Sequence, residues 1–512
     1  MSTSHSSDDS RSSQPPRVSS GIDGLDVLLN GGFLPGRANL VRGGPGTGKT
    51  QLGLRFLTGG AANGAEESTP VPAAQGRSLF ITLGEKPEQI RSDASALNID
   101  LEPIEFLDLS PSSDYFVEGE SYDVFLPAEV ERGPITEAIT ERVEETPPDR
   151  VLIDSMTQLQ YLAPSAEQFR KQALAFIRYL SDNGATILFT AEHSEETPDT
   201  ALQFLSDGIV HLSNESGRRR VEITKFRGSD YRSGTHTVTL GTEGMQVYPR
   251  LQVKAGRRTY THEAISSGVP ELDELLNGGI DRGTVTLLTG SSGVGKTTLG
   301  LQFMKEAAGR GERSVVYAFE EEAETLVHRC KSVNIPVEAM IDRGKLRIEV
   351  IRPGELTMDE FTYRVGQEVE SKGTRIVMID GVAGLKHSLV GEDLDQNLHT
   401  LGKHVVNCGA SLLITDEIRE VTGDFQPTSA AISYIADNLI FLRYLEMRGE
   451  LRKAIGVLKK RTSDFEKTLR EFAITSYGIK VGEPLTELRG ILRGQPEWSQ
   501  TPTNGHAERM NS

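Results

Sequence analysis

Two stretches of this chain have the residue types and spacing to hold a nucleotide. "GGPGTGKT" runs from Gly43 to Thr50, and "GSSGVGKT" runs from Gly290 to Thr297. Both fit G-x-x-x-x-G-K-[ST], a loop whose backbone N–H groups wrap phosphate oxygens. Gly43, Gly46 and Gly48, and in the second copy Gly290, Gly293 and Gly295, leave that backbone bare. Lys49 and Lys296 are expected to reach the β- and γ-phosphates. Thr50 and Thr297 are expected to ligate Mg²⁺, with Thr298 beside the second pair at the nucleotide. Each loop follows a short apolar run ("RANLV", "TVTLL") and precedes a helical one ("QLGLRFL", "TLGLQFM"). The helix N-terminus then adds positive partial charge behind the phosphates. ATP and Mg²⁺ are the ligands this implies.

A second Mg²⁺ anchor should be an Asp ending an apolar strand, and Asp154 in "RVLID" and Asp380 in "RIVMID" fit. Hydrolysis or phosphoryl transfer also needs a carboxylate near the γ-phosphate. In "SVVYAFEEEAETL" a β-branched and aromatic run breaks into Glu320, Glu321 and Glu322. The aligned stretch "RSLFITLGEKPEQI" has Gly84, Glu85 and Lys86 at those positions. Glu321 and Glu85 are therefore the carboxylate that both copies share, Glu320 belongs to the second copy alone, and Glu322 reads as a helix-start acid.

The elements that must position these groups are written twice. The first Gly of "SSGIDGLDVLLNGG" and that of "SSGVPELDELLNGG" lie 247 residues apart, as do Lys49 and Lys296. That period is a whole domain, not a solenoid unit. Short apolar runs alternate with helical stretches such as "AEQFRKQALAFIRYLSDNG", which reads as an α/β fold of βα units around a mostly parallel sheet. We place the first domain at 17–250, a linker at 251–261 and the second domain at 262–487. Polar tails at 1–16 and 488–512 flank them, and the Gly/Ala/Pro-rich insert "TGGAANGAEESTPVPAAQG" is expected to form a surface loop.

The 512 residues, 25% charged and 37% hydrophobic, suit a soluble protein of several domains. No apolar run is long enough to span a bilayer, and the N-terminus lacks a secretory signal. Two cysteines suit a reducing cytoplasm and argue against a disulfide framework or a zinc cluster. A net charge of −18 repels nucleic acid on average.

The doubled "SSG…LLNGG" and phosphate loops, Glu320–Glu321, "TKFRG" at 224–228, "YLEMRGELRKAI" at 444–455 and "RGILRGQP" at 489–496 resemble the KaiC family of circadian-clock ATPases over about residues 17–496. The resemblance implies two tandem RecA-like P-loop NTPase domains, a hexameric double ring and ATP at subunit interfaces. It implies that Lys225, Arg227, Lys459 and Arg461 reach a neighbour's phosphates. It further implies serine/threonine autokinase activity, with Ser433 on the family's serine, Tyr434 in place of its threonine, and Thr428 on another threonine position.

Three functions follow as expectations. The first is a signalling or circadian-type ATPase that phosphorylates itself on Ser433, with Glu320, Glu321 and Glu85 as catalytic carboxylates and signalling proteins as partners. The second is a RecA-type DNA repair or recombination ATPase. The loops that would face DNA, "EHSEETPDT" and "DEIREVTGDFQPT", are acidic, which speaks against it. The third is a nucleotide-sensing scaffold with little turnover, favoured by Gly84, Gly381 and Tyr434.

Overall fold

A computed structural model describes residues 16–59, 76–110, 134–163, 165–193, 198–242, 244–253, 263–389, 394–418, 433–447, 449–489 and 497–498. Both tails are almost wholly outside these residues, as are most of the Gly/Ala/Pro-rich insert, most of the 416–428 loop and Thr428. The chain divides into two compact units, residues 1–250 and 251–512.

Each unit is built on one nine-stranded sheet. In the first, the order is Ile104–Asp108, Ser78–Thr82, Arg150–Asp154, Thr186–Glu192, Ala38–Gly43 and Gly208–Glu215, then Arg218–Phe226, Thr235–Gly241 and Gly244–Tyr248. The first six strands are parallel, and the last three extend the sheet as an antiparallel meander. The second unit repeats the order with Leu346–Val350, Arg313–Ala318, Thr374–Asp380, Ser411–Glu417, Val285–Gly290, Asn438–Met447, Glu450–Lys460, Arg470–Thr475 and Gly478–Pro484. These are two tandem RecA-like α/β domains.

Continuous apolar runs form the central strands because helices cover both sheet faces. The two-residue side-chain period sorts them into two cores. In the first unit Phe80, Leu152 and Leu188 pack on one face, and Leu79, Ile81, Val151, Ile153, Ile187 and Phe189 pack on the other. The second unit does the same with Val316 and Met378 against Val315, Tyr317, Val377 and Ile379. Strands packed on both faces hold their carboxyl ends rigidly, and the phosphate loops sit at those ends.

The doubled "SSG…LD" stretch is scaffold. Ser19 Oγ donates to Asp26 Oδ2 at 2.6 Å and Ser20 N to Asp26 Oδ1 at 2.7 Å. Ser266 and Ser267 treat Asp273 in the same way. Each Asp satisfies the turn that leads into the short helix Asp23–Leu28 or Pro270–Leu275. The helix Ala166–Asp182 starts on Ser165, whose side chain accepts from Gln168 N.

Candidate nucleotide sites

Each phosphate loop leads into a helix, Lys49–Leu57 or Lys296–Gly309. The residue at the junction is Gly48 or Gly295, at φ 98° and 117°. A side chain there would be strained, and its Cβ would fall 2.6 Å from Met245 Cε or 2.4 Å from Ile474 Cδ1. The meander strands thus close behind the loop and reserve the position for glycine.

Lys49 Nζ donates to the carbonyls of Gly43 and Gly44, both at 2.9 Å. Lys296 Nζ donates to those of Gly290 and Ser291, at 2.8 and 2.9 Å. Burial lowers the pKa of both lysines, opposed by carboxylates nearby. For Lys49 these are Glu192 and Asp154; for Lys296, Glu417 comes first, then Asp380 and Glu320. Glu192 and Glu417 end equivalent strands at the loop edge. Sequence reading missed them, although "FTAE" and "ITDE" repeat in register.

The expected metal anchors meet in both units. Thr50 Oγ1 donates to Asp154 Oδ2 at 2.6 Å, and Thr297 Oγ1 to Asp380 Oδ1 at 3.0 Å. Thr190 and Thr415, from the neighbouring strand, donate to the same carboxylates. A hydroxyl and a carboxylate oxygen at the mouth of a phosphate loop form a hard donor set that suits Mg²⁺. Burial pushes the Asp380 carboxyl up, and the two threonines pull it back down.

The carboxylates separate by environment. Glu320 is exposed, and its Oε1 accepts from Gly384 N at 3.1 Å. The space it occupies exists because Gly381 and Gly384 have no side chains. A Cβ at Gly381 would lie 2.8 Å from Glu320 Oε1, and one at Gly384 would lie 2.8 Å from Glu320 Cγ. In the first unit the three aligned positions are Gly84, Ser155 and Gln158. There a Cβ on Gly84 would meet Gln158 Cγ at 3.8 Å. Glutamate between two glycines in one copy is thus exchanged for glycine facing the Gln158 side chain in the other.

Glu321 is half-buried, 2.9 Å from Arg329 Nη2. Its pKa is raised by burial against the pull of Arg329. Glu85 is also raised, by burial first and then by Asp154 and Asp93. Asp93 occupies the position of Arg329. The shared carboxylate therefore has a cation beside it in the second unit and an anion in the first.

Two cations reach the loops from the same unit. Arg219 Nε donates to Gly46 O and Lys453 Nζ to Gly293 O, each at 3.2 Å. Lys453 also lies over the Tyr444 ring, 5.5 Å from its centroid. They stand at matching places on the strands Arg218–Phe226 and Glu450–Lys460, and the duplication could have paired them beforehand.

Lys225, Arg227, Lys459 and Arg461 lie elsewhere. Arg227 N donates to Asp207 O, and Asp207 N to Ala38 O. Arg461 N, Asp437 and Val285 repeat the ladder. Ala38 and Val285 begin the strands that end at Gly43 and Gly290, so each Arg sits at the amino edge of its sheet. About 16 Å of strand separates that edge from the loop, farther than either side chain extends. Lys225 Nζ donates to Gln203 O at 2.7 Å. Lys459 Nζ donates to Ser433 O at 3.0 Å and Ala436 O at 2.5 Å. Arg461 Nη2 donates to Tyr434 O at 3.4 Å. Ser433 therefore lies at the same amino edge. Tyr434 is exposed, its ring beside that of His399 at 5.6 Å.

The family model of the KaiC ATPase matches residues 18–252 and 265–486, one match over each phosphate loop. The chain belongs to the KaiC ATPase family. It is 28% identical to the circadian clock oscillator protein KaiC of Prochlorococcus marinus, over 94% of this chain and 96% of that protein. It is likewise 28% identical to the circadian clock protein KaiC3 of Synechocystis sp., over 94% of this chain and 95% of the relative. Family membership carries ATPase chemistry for the doubled loops. Among the described residues no helix is long and apolar enough to cross a membrane.

Proposed function

We propose that this KaiC-family chain is an ATPase whose second domain also transfers phosphate to Ser433 of a neighbouring copy in a closed ring, serving as a signalling or circadian-type regulator. One observation carries this reading: each domain has its phosphate loop at one sheet edge and its Lys–Arg pair at the other. A head-to-tail contact brings the two edges together, and a repeated contact of that kind makes a ring where its rotation closes. The resemblance to KaiC supports a hexameric ring.

ATP lies with its phosphates in the loop of one copy. Lys49 or Lys296 turns from its own carbonyls to the β- and γ-phosphate oxygens. Thr50 with Asp154, and Thr297 with Asp380, would hold Mg²⁺, which when bound would supply positive charge to the phosphates. Lys225 and Arg227, or Lys459 and Arg461, approach from the adjacent copy. In the second domain Ser433 Oγ attacks the γ-phosphorus. The bond to the β–γ bridging oxygen breaks, ADP leaves, and the hydroxyl proton passes to the Glu320 carboxylate. Glu321, beside Arg329, positions this end of the strand. In the first domain, with Gly84 at the place of Glu320, water is the acceptor and Glu85 orients it.

The experiment uses two full-length variants. Lys296→Ala lacks the second-domain lysine but keeps Ser433. Ser433→Ala keeps the lysine but lacks the acceptor. Each alone should stay unlabelled at residue 433 after incubation with Mg²⁺ and ATP. Mixed and reassembled, they should yield phosphate on Ser433 of the Lys296→Ala chain, read by mass spectrometry. Wild-type protein that never labels Ser433 would overturn the kinase reading. Labelling of wild type with none in the mixture would overturn transfer between copies.

A further inference from the structure

We propose that the second domain carries a zinc site of its own, formed by Glu370, His404 and Cys408 and remote in sequence from the phosphate loop. His404 and Cys408 lie four residues apart on one helical path. The helix spans Leu394–Asn407, and Cys408 N donates to His404 O at 3.0 Å, so Cys408 continues the last turn. Four-residue spacing puts both side chains on one face. Glu370 ends the helix Met358–Glu370 packed against it.

The three ligand atoms lie close enough together to share one ion. His404 Nε2 lies 3.5 Å from Glu370 Oε1 and 3.8 Å from Cys408 Sγ. The three ligand atoms all fall within 4.8 Å of one another. Tetrahedral zinc bonded to sulfur at about 2.3 Å and to nitrogen and oxygen at about 2.1 Å sets its ligands about 3.4–3.6 Å apart. Closure needs movements of only a few tenths of an ångström along the two measured edges. Thiolate, imidazole and carboxylate together match the borderline-soft character of zinc.

The surroundings fit as well. The His404 side chain is 10% exposed and that of Glu370 is 46% exposed. His404 is thus sheltered, Cys408 is half-buried beside it, and Glu370 stands at the surface. Gly366, one turn before Glu370, brings its helix up against the ring: a Cβ there would lie 3.5 Å from His404 Nε2. Gly409 at φ 77° turns the chain into the strand Ser411–Glu417 directly after Cys408. The fold itself does not demand these residues. The first domain has Tyr179 and Asn183 where the second has His404 and Cys408. Binding displaces the Cys408 thiol proton to solvent and leaves His404 as a neutral ligand. The ion then fastens the ends of two helices just before the strands that finish at Asp380 and Glu417.

Cobalt(II) titration of full-length, nucleotide-free, reduced protein tests the site, because a thiolate–cobalt bond gives a near-ultraviolet charge-transfer band. The expected result is one such band saturating at one cobalt per chain and bleached by zinc. Cys408→Ser should abolish it, His404→Ala should weaken binding at least tenfold, and Cys330→Ala should leave it intact. Zinc should raise the unfolding midpoint of wild type but not of Cys408→Ser. The proposal is overturned if wild type shows no band, or if the band survives Cys408→Ser. A shift in midpoint equal in both proteins also counts against it.

Discussion

At the scale of single residues, the second domain has two strand-end carboxylates in different surroundings. Glu320 is exposed and takes one backbone hydrogen bond, whereas Glu321 stands against Arg329. Glu320→Gln keeps the size and loses the base. Phosphate transfer to Ser433 should fall about 10²–10⁴-fold, measured by radiolabel, while turnover by the first domain stays within twofold. In the first domain burial raises the Glu85 carboxyl most, and Asp154 and then Asp93 push it further up. A raised carboxyl protonates at a higher pH, so first-domain hydrolysis should fail early on acidification. Asp93→Asn removes that push and lowers the Glu85 pKa. The acid limb of the pH–rate profile, taken in a Lys296→Ala background, should move to lower pH. An unmoved limb would remove Glu85 from the rate-determining step.

At the scale of elements, the strand fixes where a carboxylate can stand and the next helix decides whether it fits. The helix Val382–Ser388 presents Gly384 to the Glu320 side chain. Alanine normally favours a helix interior over glycine by about 1 kcal/mol. Here the added methyl would lie 2.8 Å from both Glu320 Cγ and Phe319 Cβ, so the gain is offset by crowding. Gly384→Ala should therefore move the unfolding midpoint by only a degree or two and lower Ser433 labelling at least tenfold. Equal labelling would mean that Glu320 need not occupy this niche.

At the scale of the whole molecule, the proposed ring would join the loop edge of one copy to the Lys–Arg edge of the next. Arg461 is about half exposed and lies 3.6 Å from Asp437. A surface pair of this kind contributes at most about 1 kcal/mol to folding. Arg461→Ala should leave the unfolding midpoint of the isolated chain nearly unchanged. In the assembled protein the same variant should reduce second-domain turnover at least a hundredfold, since it removes a charge from the transferring phosphate. Native mass measurement beside the turnover assay separates loss of the ring from loss of catalysis. A variant with normal turnover would return Arg461 to a purely structural place beside Asp437.

Much of this was legible in the chain. The phosphate loops, Asp154 and Asp380 are set by local rules: a glycine pattern, an apolar run before it and a helix after it. Duplication added an internal comparison and singled out Glu320 by its absence at Gly84. Contacts distant in sequence were not legible. Nothing in the spacing says that Gly381 and Gly384 vacate the room Glu320 needs, or that Arg329 and Asp93 give Glu321 and Glu85 neighbours of opposite charge. Arg219 and Lys453 reach the loops only because antiparallel pairing brings their strands over residues far away in sequence. The two thiols argued against a zinc cluster, but helix packing sets one of them beside His404 and Glu370. Sequence determined which groups exist and the local backbone that carries them, because those follow from neighbours along the chain. Only the tertiary structure decided which groups meet, because strand register and helix packing set distances between residues far apart in sequence.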